Sequence, residues 1–405
     1  MGKCSFAEVA LYENHPNYET CIERVDSLYN RSDDIRSPFA RDYNRILHCT
    51  AYRRLKHKTQ VFFATTNDHI CTRMEHVNHV TAVSYTIAKY LGLNTELTNA
   101  IALGHDLGHA PFGHAGETFI KKIIQKETGE TFWHEKNSLR FVDECETLED
   151  PKGNHWNLNL TYGVRDGIIS HCGEVDENGI IPRSQAIDLK AIQRPNEFQP
   201  YTWEGCVVKI SDKIAYLGRD IEDAVSLKIL SRSDIRNLIK AVRPFTKSPI
   251  KELNTTVIMH DFIIDLCENS TIKSGICLSQ KNLDLMNALK KFNYESIYNH
   301  WKIENYKKFA ELVISSIYEM LRKFYKKEST CNEIKKYTEV YPILCGVFLE
   351  WLKKYSYSDK REIFYKNKVL YDLNREKDYV KAIVDFIAGM TDSFAIKLFN
   401  EIIMF

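Results

Sequence analysis

Apolar residues recur every three or four positions along most of this chain, and that spacing is the period of an α-helix. The pattern is clearest over residues 76–91, where Val80, Val83, Ile87 and Leu91 form one stripe. It recurs over residues 96–108, from about 207 to 230, and over much of 231–405. The 17 glycines and 10 prolines among 405 residues are fewer than the roughly 12% of an average chain. We therefore predict an all-α fold, with a helical core over about residues 37–230 and C-terminal helices packed on it.

The composition limits the classes of function. Hydrophobic residues make up 44% of the chain and charged residues 27%, which is typical of a globular protein and not of a disordered one. The net charge of +1 provides no overall field that would attract nucleic acid or an acidic membrane, so any anion site must be local. We divide the chain into residues 1–230, which carry the candidate site, and residues 231–405.

The cysteines and the hydropathy favour a cytoplasmic protein. The 11 cysteines are scattered without a CxxC pair, which fits a reducing compartment better than a disulfide framework. The chain opens without an apolar stretch of the kind that a secretory signal needs. The longest apolar run, Tyr341–Leu352, is too short for a membrane helix. We expect no membrane partner.

Histidines are concentrated in one part of the chain. Of the 14 histidines, half fall between residues 69 and 134: His69, His76, His79, His105, His109, His114 and His134. A single histidine is more often a core or surface residue than a ligand. A cluster beside acidic residues favours a metal or catalytic site instead.

Two of these histidines, together with two aspartates, predict a metal centre. His105 and Asp106 are adjacent at the end of an apolar helix, and His76 lies on the apolar stripe of its own helix, where a buried imidazole needs a partner. Asp212 follows an apolar run, where a carboxylate also needs a polar or charged partner. Two imidazoles with carboxylates suit Mn²⁺, Fe²⁺, Co²⁺ or Mg²⁺.

The helix of Asp212 carries further polar residues on one face. Tyr216, Arg219, Asp220 and Asp223 follow Asp212 at helical spacing. A solvated charged face is the ordinary interpretation of such a stripe. We favour a wall of the active site, because an acid, a phenol and a guanidinium share the face beside an otherwise apolar run.

These residues belong to a recognisable set of motifs. The chain resembles the HD-domain deoxynucleoside triphosphate triphosphohydrolases, the bacterial dGTPase-like group, and the run GHDLGHAPFGHAGE at residues 104–117 is highly specific to that group. The other matching segments are TRMEHVNHV, WHEKNSLRF, EGCVVKISDKIAYLGRDIEDA and FIAGMTDSFA. They span residues 37 to about 400 in the expected order, so the resemblance implies an HD-domain core.

The resemblance implies a role for each candidate residue. The implied metal ligands are His76, His105, Asp106 and Asp212. The implied catalytic pair is His114 and Glu117. Positions that would bind the triphosphate are Arg73, His109, His134 and Lys213. Positions that would meet the deoxyribose are Gln60, Tyr216 and Asp220, with Tyr216 under the sugar where a 2′-hydroxyl would clash.

The resemblance also implies an activity and partners. The expected reaction is metal-dependent hydrolysis of deoxynucleoside triphosphates, dGTP foremost, to a deoxynucleoside and tripolyphosphate. The cofactor would be a divalent metal (Mn, Mg, Co or Fe), and a second Mg²⁺ could accompany the triphosphate. Relatives form tetramers or hexamers, so a homo-oligomer is expected, and a nucleotide or single-stranded DNA effector is conceivable. One departure is His79, where the family commonly has an acid.

Two alternatives remain open on the sequence. A different HD-type phosphohydrolase, acting on nucleoside monophosphates or a cyclic dinucleotide, would share the metal set but would lack HAPFGHAGE. A nucleotide-sensing or nucleic-acid-binding regulator is suggested by the basic and aromatic segment Tyr52–Phe63. Such a regulator should have lost a ligand or the general acid, and the sequence retains all of them.

Overall fold

The structure is a computed structural model that describes residues 5–27, 34–62, 69–172, 178–245, 255–357 and 361–404. Phe63, the last residue of the basic and aromatic segment, lies outside these ranges. Helices dominate the described residues, and the α-helices are α1 Tyr18–Ile22, α2 Pro38–His48, α3 Thr50–Arg54, α4 Arg73–Leu91, α5 Thr95–Gly104, α6 Gly113–Thr128, α7 His134–Arg140, α8 Tyr162–Ser170, α9 Trp203–Ser226, α10 Arg232–Val242, α11 Thr255–Asn269, α12 Gln280–Phe292, α13 Trp301–Lys323, α14 Thr330–Lys336, α15 Pro342–Tyr355, α16 Glu376–Ala388 and α17 Asp392–Ile403.

Extended structure is minor in the described ranges. The one sheet there pairs β1, Thr147–Glu149, with β2, His155–Asn157, in antiparallel register. The predicted all-α fold is therefore confirmed. Among the described segments, none of the helices has both the length and the apolar character needed to cross a bilayer.

The chain forms two compact units, each assembled from three segments. The first unit comprises residues 1–46, 65–106 and 160–305, and the second comprises residues 47–64, 107–159 and 306–405. The division at residue 230 that the sequence suggested stays a prediction.

In the first unit, helix ends are fixed by side chains. Helix α4 begins with a capping box, in which Thr72 accepts the backbone N–H of Glu75 while the Glu75 carboxylate accepts the N–H of Thr72. Such reciprocal bonds satisfy donors that the first helical turn leaves without partners. At the start of α9, the buried Glu204 carboxylate accepts the N–H groups of Leu11 and Asn94, each at 3.0 Å. The bond from Asn94 connects the start of α9 to the residue that caps α5.

Helices α5 and α8 approach each other through two glycines. A methyl group on Gly104 would lie 2.7 Å from the Ile168 side chain, and one on Gly167 would lie 2.5 Å from Ile101. Both distances are shorter than real carbon contacts, so a larger residue would require the facing isoleucine or the helices to shift. The reciprocal glycine–isoleucine contacts bring the C-terminal ends of α5 and α8 together.

In the second unit, the loop before α6 is held by residues far along the chain. Lys58 is buried and its ammonium donates to the carbonyls of His109 and Ala388. Asp392 accepts the backbone N–H of Phe112 at 2.9 Å, and also the N–H and hydroxyl of Thr59. These bonds support Phe112 in a left-handed conformation, with a φ of 65°. Lys58, in the basic and aromatic segment, therefore has a structural role.

Candidate functional site

The first unit brings together the histidines and acids predicted to bind metal. His76 lies in the first turns of α4, His105 is the residue that ends α5, and Asp212 lies in the middle of α9. Nε2 of His76 is 2.9 Å from Oδ1 of Asp212, and Nε2 of His105 is 3.9 Å from the same oxygen. Candidate ligand atoms of all three lie within 4.8 Å of one another.

Asp106 joins this group from the residue after His105. Its Oδ1 is 3.8 Å from Nε2 of His105, and its Oδ2 accepts a hydrogen bond of 2.8 Å from the guanidinium of Arg73. Arg73 and Asp106 are both almost fully buried. Arg73, which the resemblance assigned to the triphosphate, thus contacts a predicted metal ligand in this structure.

Burial and neighbouring charges have opposite effects on the pKa values of His76 and Asp212 in this centre. Burial alone would lower the pKa of His76, but the hydrogen bond and charge of Asp212 raise it overall. Burial would raise the pKa of Asp212, but the imidazoles of His76 and His105 hold it below the usual range. Burial lowers the pKa of His105, which favours the neutral imidazole that binds metals.

The donor set fits a divalent metal. The Nδ1 N–H of His105 donates to the carbonyl of Ala102 at 2.7 Å, and this bond leaves Nε2 directed at the carboxylates, as metal-binding histidines commonly are. Two imidazoles and two carboxylates, gathered where water is largely excluded, suit Mn²⁺, Fe²⁺ or Co²⁺. His76, His105, Asp106 and Asp212 are the residues that would hold such an ion.

A third buried histidine, His171, lies beside His105 and Asp106, and sequence reasoning missed it. One of its ring nitrogens lies within 4.8 Å of candidate ligand atoms of both His105 and Asp106. The sequence did carry a signal, because an apolar helical run ends at His171 in the same way that one ends at His105.

The second unit contains a separate cluster of three histidines around one carboxylate. Glu117 of α6 contacts Nδ1 of His109, Nδ1 of His134 at 3.3 Å and Nδ1 of His114 at 3.5 Å. The rings of His109 and His134 are stacked with centroids 3.9 Å apart. Burial would raise the pKa of Glu117, but the charges of His109 and His134 hold it well below its ordinary value. Glu117 is therefore a carboxylate that orients the surrounding imidazoles.

Exposure distinguishes these histidines. The side chain of His114 is 59% exposed, whereas those of His109 and His134 are 2% and 13% exposed. An imidazole oriented by a carboxylate and open to solvent can exchange a proton with a bound ligand. His114 and Glu117 are in contact at 3.5 Å, and their catalytic role stays a prediction.

The predicted sugar-binding residues divide between the units. Tyr216 and Asp220 follow Asp212 on α9 by one and two turns, and Lys213, also on α9, is buried. Gln60 belongs to the second unit. The Asp220 carboxylate accepts a hydrogen bond of 2.5 Å from the hydroxyl of Tyr298, a neighbour that the sequence did not indicate.

Two residues of the predicted wall have structural contacts instead. Asp223 accepts the backbone N–H of Cys71 at 2.9 Å, and Arg219 contacts the carbonyl of His69 and the carboxylate of Glu222. Arg219 and Asp223 thus fix the segment that leads into α4. The part of the stripe that remains for a ligand is Tyr216 and Asp220.

Comparison with known proteins agrees with this geometry. Residues 73–217 match the model of the HD domain, and residues 348–401 match that of a phosphohydrolase-associated domain. The HD match includes all four predicted metal ligands.

Relatives that align with most of the chain have a consistent description. A deoxyguanosinetriphosphate triphosphohydrolase-like protein of Caldanaerobacter subterraneus is 33% identical over 92% of this chain and 86% of its own length. Proteins of the same description from Pelagibacter ubique and Desulfatibacillum aliphaticivorans are 32% and 36% identical, over 93% and 70% of this chain and 95% and 73% of their own lengths.

Proposed function

Since the chain belongs to the family of deoxyguanosinetriphosphate triphosphohydrolase-like proteins, we propose that it hydrolyses deoxynucleoside triphosphates, dGTP foremost, to a deoxynucleoside and tripolyphosphate. The observation that carries the proposal is the buried convergence of His76, His105 and Asp212, with Asp106 beside them. A divalent ion held there, Mn²⁺, Mg²⁺, Co²⁺ or Fe²⁺, would supply an acidified water or a Lewis acid for a phosphoryl oxygen. A second Mg²⁺ could enter with the triphosphate.

His114 is the proposed general acid. Cleavage between the α-phosphorus and the 5′-oxygen leaves an alkoxide that needs a proton, and the exposed imidazole of His114 can give it. Glu117 holds the Nδ1 side of His114, at 3.5 Å, so that Nε2 would carry the proton that is transferred. Departure of the 5′-oxygen explains why tripolyphosphate would leave intact.

The remaining cationic groups are assigned to the triphosphate. A triphosphate carries about four negative charges, and preorganised N–H donors lower the free energy of charge that develops in the transition state. We assign Arg73, Lys213, His109 and His134 to its oxygens. His109 and His134 are already oriented by Glu117.

The sugar is assigned to the middle of α9 and to Gln60. Asp220 and Gln60 would hydrogen-bond the 3′-hydroxyl, and the ring of Tyr216 would lie beneath the deoxyribose. A ribonucleotide would bury its 2′-hydroxyl against that ring without a partner, at a cost of about 1–3 kcal/mol. We therefore expect at least a tenfold preference for a deoxynucleotide over its ribo counterpart.

One product assay tests the proposal. The protein is incubated with Mn²⁺ or Mg²⁺ and each of the four dNTPs, GTP and dGMP, and the products are separated by anion exchange. Tripolyphosphate and a deoxynucleoside are the expected products, and the Asp106→Ala variant should form neither. Orthophosphate or pyrophosphate as the first product would contradict the bond assignment, and equal turnover of GTP and dGTP would contradict the sugar assignment. Hydrolysis of dGMP alone would favour the alternative, a monophosphate-specific HD enzyme.

Assembly, effectors and compartment form a separate part of the proposal. We propose a cytoplasmic homo-oligomer, a tetramer or hexamer, that can respond to a nucleotide or to single-stranded DNA. Light scattering after size exclusion measures the assembly, and turnover with and without added single-stranded DNA measures the response. A monomeric protein would contradict the proposed assembly, and a rate that DNA leaves unchanged would contradict the proposed response to DNA.

A further inference from the structure

His171 is placed in the first unit in the same way as the predicted metal ligand His105. Each residue ends its helix, His105 at the end of α5 and His171 at the end of α8. Each donates its Nδ1 N–H to the carbonyl three residues earlier, Ala102 at 2.7 Å and Ile168 at 2.6 Å. The remaining ring nitrogen of His171 is Nε2, the same atom that His105 presents to its carboxylates.

The packing of the two helices brings these imidazoles together. The reciprocal glycine–isoleucine contacts of Gly104 and Gly167 allow α5 and α8 to approach closely at their C-terminal ends. As a result, the rings of His105 and His171 meet edge to face, with centroids 4.9 Å apart and an angle of 83°. Both residues are almost completely buried.

Asp106 contributes to the same cluster. Candidate ligand atoms of His105, Asp106 and His171 lie within 4.8 Å of one another, as do those of His76, His105 and Asp212. His105 is common to both groups, so His171 borders the centre on the side of Asp106. A tethered Nδ1 and a buried carboxylate neighbour are features of histidines that bind metal ions.

We propose that His171 binds the divalent metal through Nε2, as a fifth protein ligand beside His76, His105, Asp106 and Asp212. Five protein ligands leave one position of an octahedral ion open for an oxygen of water or substrate, as a catalytic metal site requires. The inference rests on the metal dependence of the proposed function, but not on the identity of the substrate.

A purely structural role for His171 predicts different behaviour. If its task were only to donate to the Ile168 carbonyl at the end of α8, an asparagine amide could replace Nδ1 and the metal would be unaffected. A ligand role requires Nε2, which asparagine lacks. The substitution His171→Asn therefore separates the two roles.

The test uses Co²⁺ and needs no turnover. We expect His171→Asn to keep the far-ultraviolet spectrum of the unaltered chain, to bind Co²⁺ more weakly by at least the roughly 10–100-fold that loss of an outer-shell partner costs, and to change the visible d–d absorption of the bound ion, which responds to the loss of a ligand. The matched control His79→Asn makes the same change at a half-buried histidine of α4 and should alter neither property. Unchanged affinity and absorption in His171→Asn would overturn the proposal.

A measurement on the unaltered protein covers the case in which the variant does not fold. With one equivalent of Co²⁺ and no substrate, proton NMR should show three exchangeable, hyperfine-shifted imidazole N–H signals, from His76, His105 and His171. Two signals would overturn the inference. If the three signals appear and no dNTP is hydrolysed, the proposed substrate is wrong and the ligand assignment stands.

Discussion

His76 and His79 lie one turn apart on α4 and provide a matched pair for the metal assignment. His76 is buried with its Nε2 against Asp212, whereas His79 is half-buried. We expect His76→Ala to lose bound metal and turnover, because a ligand and the neutralising partner of Asp212 disappear together. His79→Ala should retain both. Elemental analysis after gel filtration measures the metal, and a full complement in His76→Ala would remove it from the ligand set.

Substitution of His114 should lower the rate of catalysis without weakening the binding of metal or substrate. His114 belongs to the second unit, and the metal-type cluster of His76, His105 and Asp212 belongs to the first. We expect His114→Ala to keep its metal and its affinity for dNTP but to lose roughly two to four orders of magnitude in kcat, the usual contribution of a general acid. Thr118→Ala, also exposed and one turn further along α6, is the control. A kcat near that of the control would rule out the acid assignment.

Asp220 should make the metal-free protein less stable as the pH rises. Burial raises its pKa to about 7, so between about pH 4 and pH 7 the folded state holds a proton that the unfolded state has released. Unfolding then releases this proton, and the free energy of unfolding falls as the pH increases through that range. Asp220→Asn imitates the protonated form, so its stability relative to the unaltered chain should increase up to about pH 7 and then level off.

Urea unfolding between pH 5 and pH 8 measures this difference. The experiment is done in chelator, because a bound cation would itself lower the pKa of a nearby carboxylate. A stability difference between the two proteins that does not depend on pH would show that Asp220 is already ionised in the fold. In that case the acid would meet a substrate hydroxyl as an acceptor only.

Some residues of the candidate site could be predicted from the sequence, and others could not. His76, His105, Asp106 and Asp212 could be found because each places a polar group beside an apolar helical stretch. His171 had the same signal but stands more than sixty positions after His105, and only the packing of α5 on α8 brings the two together. Tyr298 could not be found from the sequence, because nothing there indicates that its hydroxyl contacts Asp220.

At the scale of elements, helices α4, α5 and α9 agree with the apolar periodicity, and their ends explain the differences. The expected helix over residues 96–108 stops at Gly104, where His105 instead bonds back to Ala102. The expected helix from about Val207 to Leu230 begins earlier, at Trp203, because Thr202 caps it with its hydroxyl. Periodicity shows that a helix exists, but the capping bonds decide where it ends.

Two helical glycines give a matched test of the packing between α5 and α8. A methyl group at Gly167 would lie 2.5–2.6 Å from three atoms of Ile101, whereas one at Gly346 of α15 would meet nothing within 4 Å. We expect Gly167→Ala to destabilise the fold by about 1–3 kcal/mol through overpacking. Gly346→Ala should be stabilising by about 0.5–1 kcal/mol, because alanine restricts the unfolded chain.

Chemical denaturation of both alanine variants measures this contrast. The same preparations can be titrated with Mn²⁺, since displacement of α8 should also weaken metal binding if His171 is a ligand. Equal stability of the two variants would mean that α5 and α8 can separate without loss. The apolar spacing did not indicate this approach, because close packing depends on which residues face each other across helices.

At the scale of the whole molecule, removal of metal should lower the melting temperature. The buried cluster of His76, His105, Asp106 and Asp212 is present only in the folded chain, so a bound ion stabilises the fold by about 2.7 kcal/mol at a hundredfold excess over its Kd. We expect chelation to shift the melting temperature down by a few degrees and Mn²⁺ to restore it. Differential scanning calorimetry measures the shift, and Asp106→Ala should show none. Identical melting of the unaltered chain with and without chelator would contradict a structural contribution of the metal.

The anchors of the loop before α6 have a consequence for how the protein is made. The carbonyl of His109 and the N–H of Phe112 are held through Lys58 and Asp392, and Asp392 lies 280 positions after Phe112 in the chain. During synthesis, the segment that carries His114 and Glu117 therefore leaves the ribosome long before the carboxylate that secures it. A nascent or prematurely terminated chain would carry every catalytic side chain and still lack the support that orients them. The support of this loop would thus arrive only once α17 has been translated, and a product truncated before Asp392 would lack it.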